Sequence, residues 1–531
     1  MGMPLLILCL FIPAAWVLAG QKLFHWFQLE SYQFPGYFRT LKRNLFRSLL
    51  PGTVLAAVFC VCVLLLGMDG KVLLSRTRCS ALSLLMLAAA GVLYWEGSRQ
   101  KAKKPMAFTP RMKRLQGISY VLFALLIFVF LRAGGPLWGI AVLSLLLPCL
   151  AALGGLVAWP VEKGISEMYF RDAQRILRER KDLIRIGITG SWGKTSVKFI
   201  LGALLSEKYS TLITPASFNT PMGVTKVIRT NLTPGHRIFI AEMGARHVGD
   251  IREMCRLVHP EMGLLTSVGP QHLDTFKTQE RITRTKYELI DAIPADGACF
   301  FADDEGIVLD LYNRTDKPRF LAGLHPERDD VWAEDLRVTP EGSSFLLCTR
   351  EGKEPCHTEL LGELNIRNIV LCAAVCLKLD MTLREIARGI AGLRSVEHRL
   401  QLIRNNNGVN VIDDAFNSNI QGAEQAFRVL KAFEGGQRIV VTPGMVELGD
   451  REAELNREMG RIMADCCDLA VLIGKKRSEA IAEGLKEAGF PAHRIIVTGS
   501  LGEATETLAT VVQKGDTILF ENDLPDNYQE G

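Results

Sequence analysis

Long apolar runs alternate with polar, basic connections over the first third of the chain. Five apolar segments stand out, at residues 4–20, 50–67, 80–95, 117–131 and 137–159. Each approaches the roughly 20 residues that a helix needs to cross the hydrocarbon core of a bilayer. Because the first segment lacks a basic start and four others follow it, the pattern favours five membrane-spanning helices over a cleaved signal peptide.

The connections between these segments differ in charge. Residues 21–48 and 96–116 together hold twelve Lys and Arg, whereas residues 68–79 and 132–136 hold four. Strongly basic connections stay on the cytoplasmic side, so the N-terminus is predicted outside the cell and the remainder of the chain inside. The expected location is therefore the cell membrane, with several spans, contact with the lipid bilayer and cytoplasmic catalytic domains.

Beyond residue 160 the pattern becomes that of an α/β protein. The segment "IRIGI" (184–188) suits a short buried parallel strand, and residues 196–207 have the apolar spacing of a helix. The predicted domains are a five-span membrane anchor (1–160), a connecting helix (161–182), a central domain (183–403) and a C-terminal domain (404–531).

Charge and cysteine usage narrow the function. Residues 1–158 hold sixteen Lys and Arg against three acidic residues, so the remainder must be acidic to give the net charge of +5. This distribution argues against a nucleic-acid partner, which would need positive charge on the soluble part. The thirteen cysteines form no CxxC pair and are expected to be buried thiols in a reducing compartment.

The stretch "TGSWGKT" (189–195) joins the predicted strand to the predicted helix. Its glycines allow backbone N–H groups to approach phosphate, and a helix N-terminus favours bound anions. Lys194 can reach the β and γ oxygens of a nucleotide, and Thr195 can bind Mg²⁺. The stretch therefore predicts an ATP site, although a glycine turn without a ligand remains the alternative. The predicted phosphate contacts are Gly190, Gly193, Lys194, Thr195 and Ser196.

Residue 188 is Ile, where a strict Walker loop has Gly, and this variant resembles the loop of the Mur ligase family. Other segments resemble that family in its own order: "SFNTPMGVTKVI" (217–228), "IFIAEMGARHVGDI" (238–251), "LLTSVGPQHLDTF" (264–276), "RTKYELI" (284–290), "LLGELNIRNIVLCAAVCLKL" (360–379), "VEHRLQLI" (396–403), "VNVIDDAFNSNIQGAEQAF" (409–427) and "IVVTPGMVELGD" (439–450). The resemblance implies a P-loop central domain followed by a Rossmann-like C-terminal domain. It covers nothing before about residue 180.

The resemblance also implies an activity: an ATP-dependent ligase that turns a carboxylate into an acyl phosphate and joins it to an amine. It implies one Mg²⁺ held by Thr195, Glu242 and His272, although local chemistry alone favours a structural role for His272 because Mg²⁺ prefers oxygen ligands. Lys286 would be carbamylated by CO₂ and bind a second Mg²⁺, whereas a lysine on a helix is usually solvated. Catalytic roles fall to Lys194, Lys286 and Arg399.

The remaining implied contacts come from other segments. Asn365 and Asn368 would bind the adenine, and Arg399 and Asp414 the phosphate and ribose; a helix cap and a surface ion pair are the alternatives for Asn365 and Arg399. The implied substrate contacts are Asn219, Thr220, Asn417 and Asn419, the last two of which also suit a turn.

Two departures leave the substrates open. A membrane segment stands where the family has a UDP-binding domain, and the end "TILFENDLPDNYQEG" is acidic where the family is basic. The expected partners are a cell-wall precursor or lipid-linked carboxylate and a dipeptide or amino-acid amine, with D-alanyl-D-alanine or a similar amine favoured. Alternatives are a poly-γ-glutamate-like acceptor or a membrane-tethered nucleotide-binding scaffold.

Overall fold

A computed structural model of the chain describes residues 2–68, 75–99, 105–216, 218–404, 408–416, 419–446 and 448–523. The chain divides into two compact units, with the boundary between Glu167 and Met168.

The first unit is helical. Its helices are α1 (Met3–Ala19), α2 (Gln21–Leu29), α3 (Phe34–Arg43), α4 (Leu45–Leu65), α5 (Arg76–Arg99), α6 (Pro110–Arg132), α7 (Gly139–Leu145) and the start of α8 (Leu147–Glu179). Trp16, Phe59 and Phe123 are fully buried in its core. Leu64 and Leu65 on α4 are about four-fifths exposed, so the unit presents apolar side chains outward as well as inward.

Three of the described helices, α4, α5 and α6, are long and apolar enough to cross a membrane. The number rises to five if the bent pairs α1–α2 and α7–α8 each count as one span, with bends of 51° and 75°. The predicted segments 80–95 and 117–131 lie inside α5 and α6, which extend into the flanking polar residues.

Two features of the helical unit differ from the expected pattern. The connection predicted at 21–48 contains α2 and α3, because aromatic residues such as Phe24, Phe27 and Tyr37 give it a buried face. The last predicted apolar segment is divided between α7 and α8, and α8 continues through Pro160 as far as Glu179.

The second unit contains two sheets. The strands of the larger sheet are β1 (Ile184–Thr189), β2 (Thr211–Ile213), β3 (Ile238–Glu242), β4 (Met262–Leu265), β5 (Ala298–Ala302), β6 (Arg319–Gly323), β7 (Val331–Thr339), β8 (Gly342–Thr349) and β9 (Lys353–Thr358). Their order is β2-β3-β1-β4-β5-β6-β7-β8-β9, parallel from β2 to β7 and antiparallel from β7 to β9. The carboxyl ends of β3, β1 and β4 therefore lie side by side at one edge, where ligands of parallel sheets collect.

The strands of the smaller sheet are β10 (Gln401–Arg404), β11 (Asn410–Asp414), β12 (Arg438–Thr442), β13 (Leu469–Ile473), β14 (Ile495–Thr498) and β15 (Thr517–Glu521). Their order is β10-β11-β15-β12-β13-β14, and only the β10–β11 pair is antiparallel.

Helices accompany both sheets, as crossover connections between parallel strands require. They are α9 (Lys194–Ser206), α10 (Pro221–Asn231), α11 (Asp250–Val258), α12 (Leu273–Phe276), α13 (Gln279–Ala292), α14 (Ile307–Asn313), α15 (Glu363–Lys378), α16 (Leu383–Ala391), α17 (Ile420–Lys431), α18 (Glu452–Ala464), α19 (Ser478–Glu487) and α20 (Leu501–Val511). The prediction of an α/β fold behind a helical N-terminal region is confirmed.

Candidate nucleotide and metal site

The glycine loop at residues 189–195 joins β1 to α9, as the apolar pattern predicted. A Cβ on Gly190 would lie 2.0 Å from Thr266 Oγ1, so only glycine allows the loop to pack this closely on the segment after β4. Gly193 has a φ of 80° immediately before α9 begins at Lys194. The loop therefore presents backbone N–H groups at a helix N-terminus, a geometry that suits phosphate.

The Lys194 side chain is half-buried and lies back over this loop. Its Nζ donates to the carbonyl oxygens of Gly190 at 2.7 Å and Ser191 at 2.9 Å. Burial lowers the pKa of Lys194 to about 8; Glu242 opposes this shift and Arg399 adds to it. The lysine is thus a cation held at the loop, with two carbonyl partners that phosphate oxygens can replace.

Glu242, at the carboxyl end of β3, is 1 % exposed and is held by three side chains. Its Oε1 accepts from Thr195 Oγ1 at 3.1 Å and from Asn219 Nδ2 at 3.0 Å. Its Oε2 accepts from Lys198 Nζ at 3.0 Å. Burial acts to raise the pKa of Glu242, but the charges of Lys198 and Lys194 outweigh it and the pKa is lowered, which keeps the carboxylate ionised.

His272 and Lys286 come from the segments that follow β4. His272 lies in the left-handed backbone region with a φ of 52°, immediately before α12. Lys286, on α13, is 2 % exposed, and no described residue forms a hydrogen bond with its Nζ. Burial lowers the pKa of Lys286 well below its ordinary value, and the charge of Lys194 adds to the shift. A lysine in this setting favours the neutral amine.

The asparagines of α15 occupy two different environments. Asn365 donates from Nδ2 to the Leu361 carbonyl at 2.8 Å, and the N-cap of α15 is Gly362, so the capping alternative for Asn365 is wrong. Asn368 lies against the glycine loop, because a Cβ on Gly193 would be 3.2 Å from its Oδ1. Both are buried. Ser196 lies in the first turn of α9.

Arg399 precedes β10 in a strained segment. The residues on either side, His398 and Leu400, both have positive φ, at 59° and 46°. The Arg399 guanidinium carbon lies 4.3 Å from the centre of the Phe416 ring. Burial lowers the pKa of Arg399, and Asp414 is the strongest opposing charge, followed by Glu242. The Arg399 cation therefore interacts with one carboxylate at a strand end of each sheet, Asp414 in the smaller sheet and Glu242 in the larger.

Asp414, at the end of β11, accepts a hydrogen bond from the Leu400 backbone N–H to Oδ1 at 3.1 Å. Burial raises the pKa of Asp414, and Arg399 opposes the shift. Asp414 is paired in register with Glu521 on β15, and Glu521 opposes the rise in the pKa of Asp414. Glu521, which belongs to the acidic C-terminal stretch, therefore lies beside Asp414.

Three of the four predicted substrate contacts have structural roles. Thr220 caps α10 by accepting the Gly223 N–H at 3.3 Å, and Asn419 caps α17 by accepting the Gly422 N–H at 3.0 Å. Asn219 bonds Glu242, as described above, and its carbonyl accepts the Gly244 N–H at 2.9 Å. Asn417 lies outside the described residues.

The donor set fits a nucleotide-bound Mg²⁺. Within the described ranges, no three His, Cys, Asp or Glu side chains cluster to hold a metal on their own. Mg²⁺ is commonly held by one or two carboxylates together with substrate phosphates, rather than by a cage of protein ligands. The Glu242 carboxylate and the Thr195 hydroxyl, beside a phosphate-binding geometry, provide that kind of site.

The sequence interpretation missed Lys198. It lies four residues after Lys194 on α9, so the two share a helix face, and its side chain is completely buried. The available signal was this spacing, in a helix whose remaining residues are largely apolar.

Comparison with known proteins agrees with this geometry. The Mur ligase middle domain matches residues 188–376, and the Mur ligase glutamate ligase domain matches residues 398–521. Together these matches cover more than half of the chain, which therefore belongs to the Mur ligase family. As a member it is an ATP-dependent ligase that forms amide bonds, and both the predicted family and the predicted class of enzyme are confirmed.

Within the family, the chain is similar to the enzymes that add D-alanyl-D-alanine. The UDP-N-acetylmuramoyl-tripeptide–D-alanyl-D-alanine ligase of Bacillus subtilis is 28% identical over 339 residues, which are 63% of this chain and 72% of the relative. The Escherichia coli enzyme of the same name is 28% identical over 370 residues, covering 68% and 81%.

Solved structures give the same result. MurF from Acinetobacter baumannii has a TM-score of 0.62 at 25% identity and covers 68% of this chain and 78% of that chain. MurF ligase from Thermotoga maritima in complex with ADP has a TM-score of 0.60 at 26% identity, covering 67% and 80%.

Proposed function

We propose that the protein joins D-alanyl-D-alanine, or a similar amine, to the carboxylate of a cell-wall precursor, using ATP and an acyl phosphate. The observation that carries this proposal is the convergence of Lys194, Thr195 and Glu242 at adjacent strand ends, in a chain similar to ligases named for this reaction. We further propose that residues 189–195 are the phosphate loop of a P-loop central domain. Residues 404–531 would form a Rossmann-like domain.

The chemistry needs two anions, carboxylate and triphosphate, to meet. A carboxylate oxygen attacks the γ phosphorus, the bond to ADP breaks, and the charge on the transferring group is stabilised by the Lys194 ammonium. Arg399 supplies a second cation from the C-terminal side. The amine nitrogen then attacks the acyl carbon, loses a proton, and inorganic phosphate leaves. Asn368 and Asp414 would hold the nucleotide from opposite sides.

Mg²⁺ would be held by Thr195 and Glu242, with His272 as a further ligand, and it would supply charge neutralisation at the phosphates. Lys286 is the candidate carbamate. Its burial and lowered pKa support this assignment, because only the neutral amine reacts with CO₂. Asn219 serves this site by holding the Glu242 carboxylate.

We also propose that residues 1–160 anchor the enzyme in the cell membrane, with the catalytic part in the cytoplasm. The support is the three long apolar helices and their exposed apolar side chains, for example Leu65, Val92 and Val121 at 81%, 62% and 63% exposure. Soluble surfaces rarely carry such a density of exposed apolar groups, whereas a lipid-facing surface requires them.

The full-length protein in lipid nanodiscs tests the proposed reaction. It is incubated with ATP, Mg²⁺, bicarbonate, UDP-N-acetylmuramoyl-tripeptide and D-alanyl-D-alanine, and each substrate is omitted in turn. We expect ADP release only when both substrates are present, with a product whose mass shows the added dipeptide. ATP hydrolysis without either substrate would contradict the proposal, and nucleotide binding without turnover would contradict this pair of substrates.

One observation favours a second acceptor or amine. Glu521, buried at the end of β15, places an acidic side chain in the C-terminal stretch. The resemblance to the family implies basic residues in this stretch. If the assay with the UDP-linked tripeptide gives no product, the same assay with membrane extract as the acceptor source distinguishes a lipid-linked or polymeric envelope acceptor from an inactive protein. Mass spectrometry of the product identifies which group was added to which acceptor.

A further inference from the structure

Lys198 is a fully buried cation directly behind the proposed metal site. Its side chain is 0% exposed, and it lies one helical turn after Lys194 on α9. Its Nζ bonds Glu242 Oε2 at 3.0 Å and the Ala216 carbonyl, and it lies 4.6 Å from the centre of the Phe199 ring. A buried lysine is costly, and one with a fixed carboxylate partner has a defined geometry.

The two oxygens of the Glu242 carboxylate have separate partners. Oε2 is held by the Lys198 cation, whereas Oε1 is held by Thr195 and Asn219. The Glu242 backbone N–H also donates to Thr214 Oγ1 at 3.2 Å, which fixes the end of β3. The carboxylate therefore has one orientation, with Oε1 directed to the hydroxyl of Thr195, the other candidate oxygen ligand.

We propose that Lys198 is a positioning residue that orients Glu242 for metal binding in the nucleotide complex. This inference rests on the proposed function, because it requires Glu242 to hold the metal. Partners that orient a metal ligand typically contribute about tenfold to a hundredfold to metal affinity. Lys198 acts through Glu242, because its Nζ is engaged by Glu242 Oε2 and the Ala216 carbonyl.

The test measures Mn²⁺ as a probe, by electron paramagnetic resonance, on the full-length protein with saturating ADP at a fixed pH. Lys198→Met is expected to raise the Kd of Mn²⁺ by about tenfold to a hundredfold. Metal-free ADP binding should change by less than about threefold, because Lys198 Nζ is engaged by Glu242 Oε2 and the Ala216 carbonyl. Lys353→Met is the matched control: it removes an exposed lysine paired to Glu334 at 2.6 Å and should leave the Mn²⁺ affinity unchanged.

A second comparison separates positioning from general stabilisation. Lys198→Met is combined with Glu242→Gln, which removes the charges of both partners and leaves no unpaired buried ion. If Lys198 acts through Glu242, the double variant binds Mn²⁺ as Glu242→Gln alone does. If Lys198→Met alone does not fold, the comparison of the double variant with Glu242→Gln still tests whether Lys198 acts through Glu242.

Two results would overturn the inference: an unchanged Mn²⁺ affinity in folded Lys198→Met, even with a lower melting temperature, or a further loss of affinity when Lys198→Met is added to Glu242→Gln. Failure of the proposed function is recognised separately. In that case the wild type binds Mn²⁺ with ADP and Lys198→Met binds it more weakly, but the wild type forms no amide product.

Discussion

Replacing Gly244 with alanine tests the contact between the loop after β3 and the Glu242 site. An alanine Cβ would lie 2.8 Å from Asn219 Cγ and 2.9 Å from its Oδ1, whereas ordinary contact begins at 3.4 Å. The amide group must therefore retreat by about 0.6 Å, as these distances require. It cannot do so freely, since its Nδ2 bonds Glu242 Oε1 at 3.0 Å and the two backbones are joined by the Gly244 N–H bond to the Asn219 carbonyl.

Overpacking of this kind costs about 1–3 kcal/mol, which corresponds to about fivefold to 150-fold in kcat/KM if it acts on the transition state. We expect that loss of kcat/KM for Gly244→Ala, measured by ADP release with varied ATP. When Gly244→Ala is added to the Asn219→Ala variant, kcat/KM should change by less than about twofold, because the clash is then absent. Gly502→Ala is the control: its Cβ would meet only Ser500 Oγ at 3.8 Å. Equal losses in the wild-type and Asn219→Ala backgrounds would refute the argument.

Three other predictions concern the two lysines. Lys194→Ala should abolish turnover, because the phosphate loses its nearest cation; a rate above about one-hundredth of wild type in the ADP-release assay would contradict this. Lys286→Ala should lower the rate, and short-chain carboxylates should restore part of it by replacing the carbamate oxygens; full activity without them would exclude the carbamate. Since the pKa of Lys194 is lowered to about 8, its ammonium is lost as the pH rises through that value. The Kd of ADP, measured calorimetrically without metal between pH 7 and pH 9.5, should therefore increase with pH in the wild type and remain flat in Lys194→Met.

The central elements of the catalytic unit were predictable because buried parallel strands and amphipathic helices have distinct periods. The strand at 184–188 and the helix at 196–207 correspond to β1 and α9. The same reasoning failed at 21–48, where short helices with mixed polarity resemble a connection. It also divided α8 near Pro160, where the helix continues although a proline usually breaks or kinks a helix.

The site was predictable only where a residue follows a recognisable strand. Glu242 and the glycine loop were found in this way. The bond between Asn219 and Glu242 depends on the pairing of β2 with β3, which no local pattern contains. Lys198 was missed because a lysine on a helix usually faces solvent, and only the fold shows that this face of α9 lies against β3.

The central claim is that ATP converts a carboxylate into an acyl phosphate at the loop of residues 189–195. The direct measurement uses an acceptor whose carboxylate oxygens are labelled with ¹⁸O, incubated with the full-length enzyme, ATP and the amine. Cleavage of the acyl phosphate leaves one carboxylate oxygen on phosphorus, so we predict one ¹⁸O atom in the inorganic phosphate for each amide formed. Amide product accompanied by unlabelled phosphate would contradict the claim.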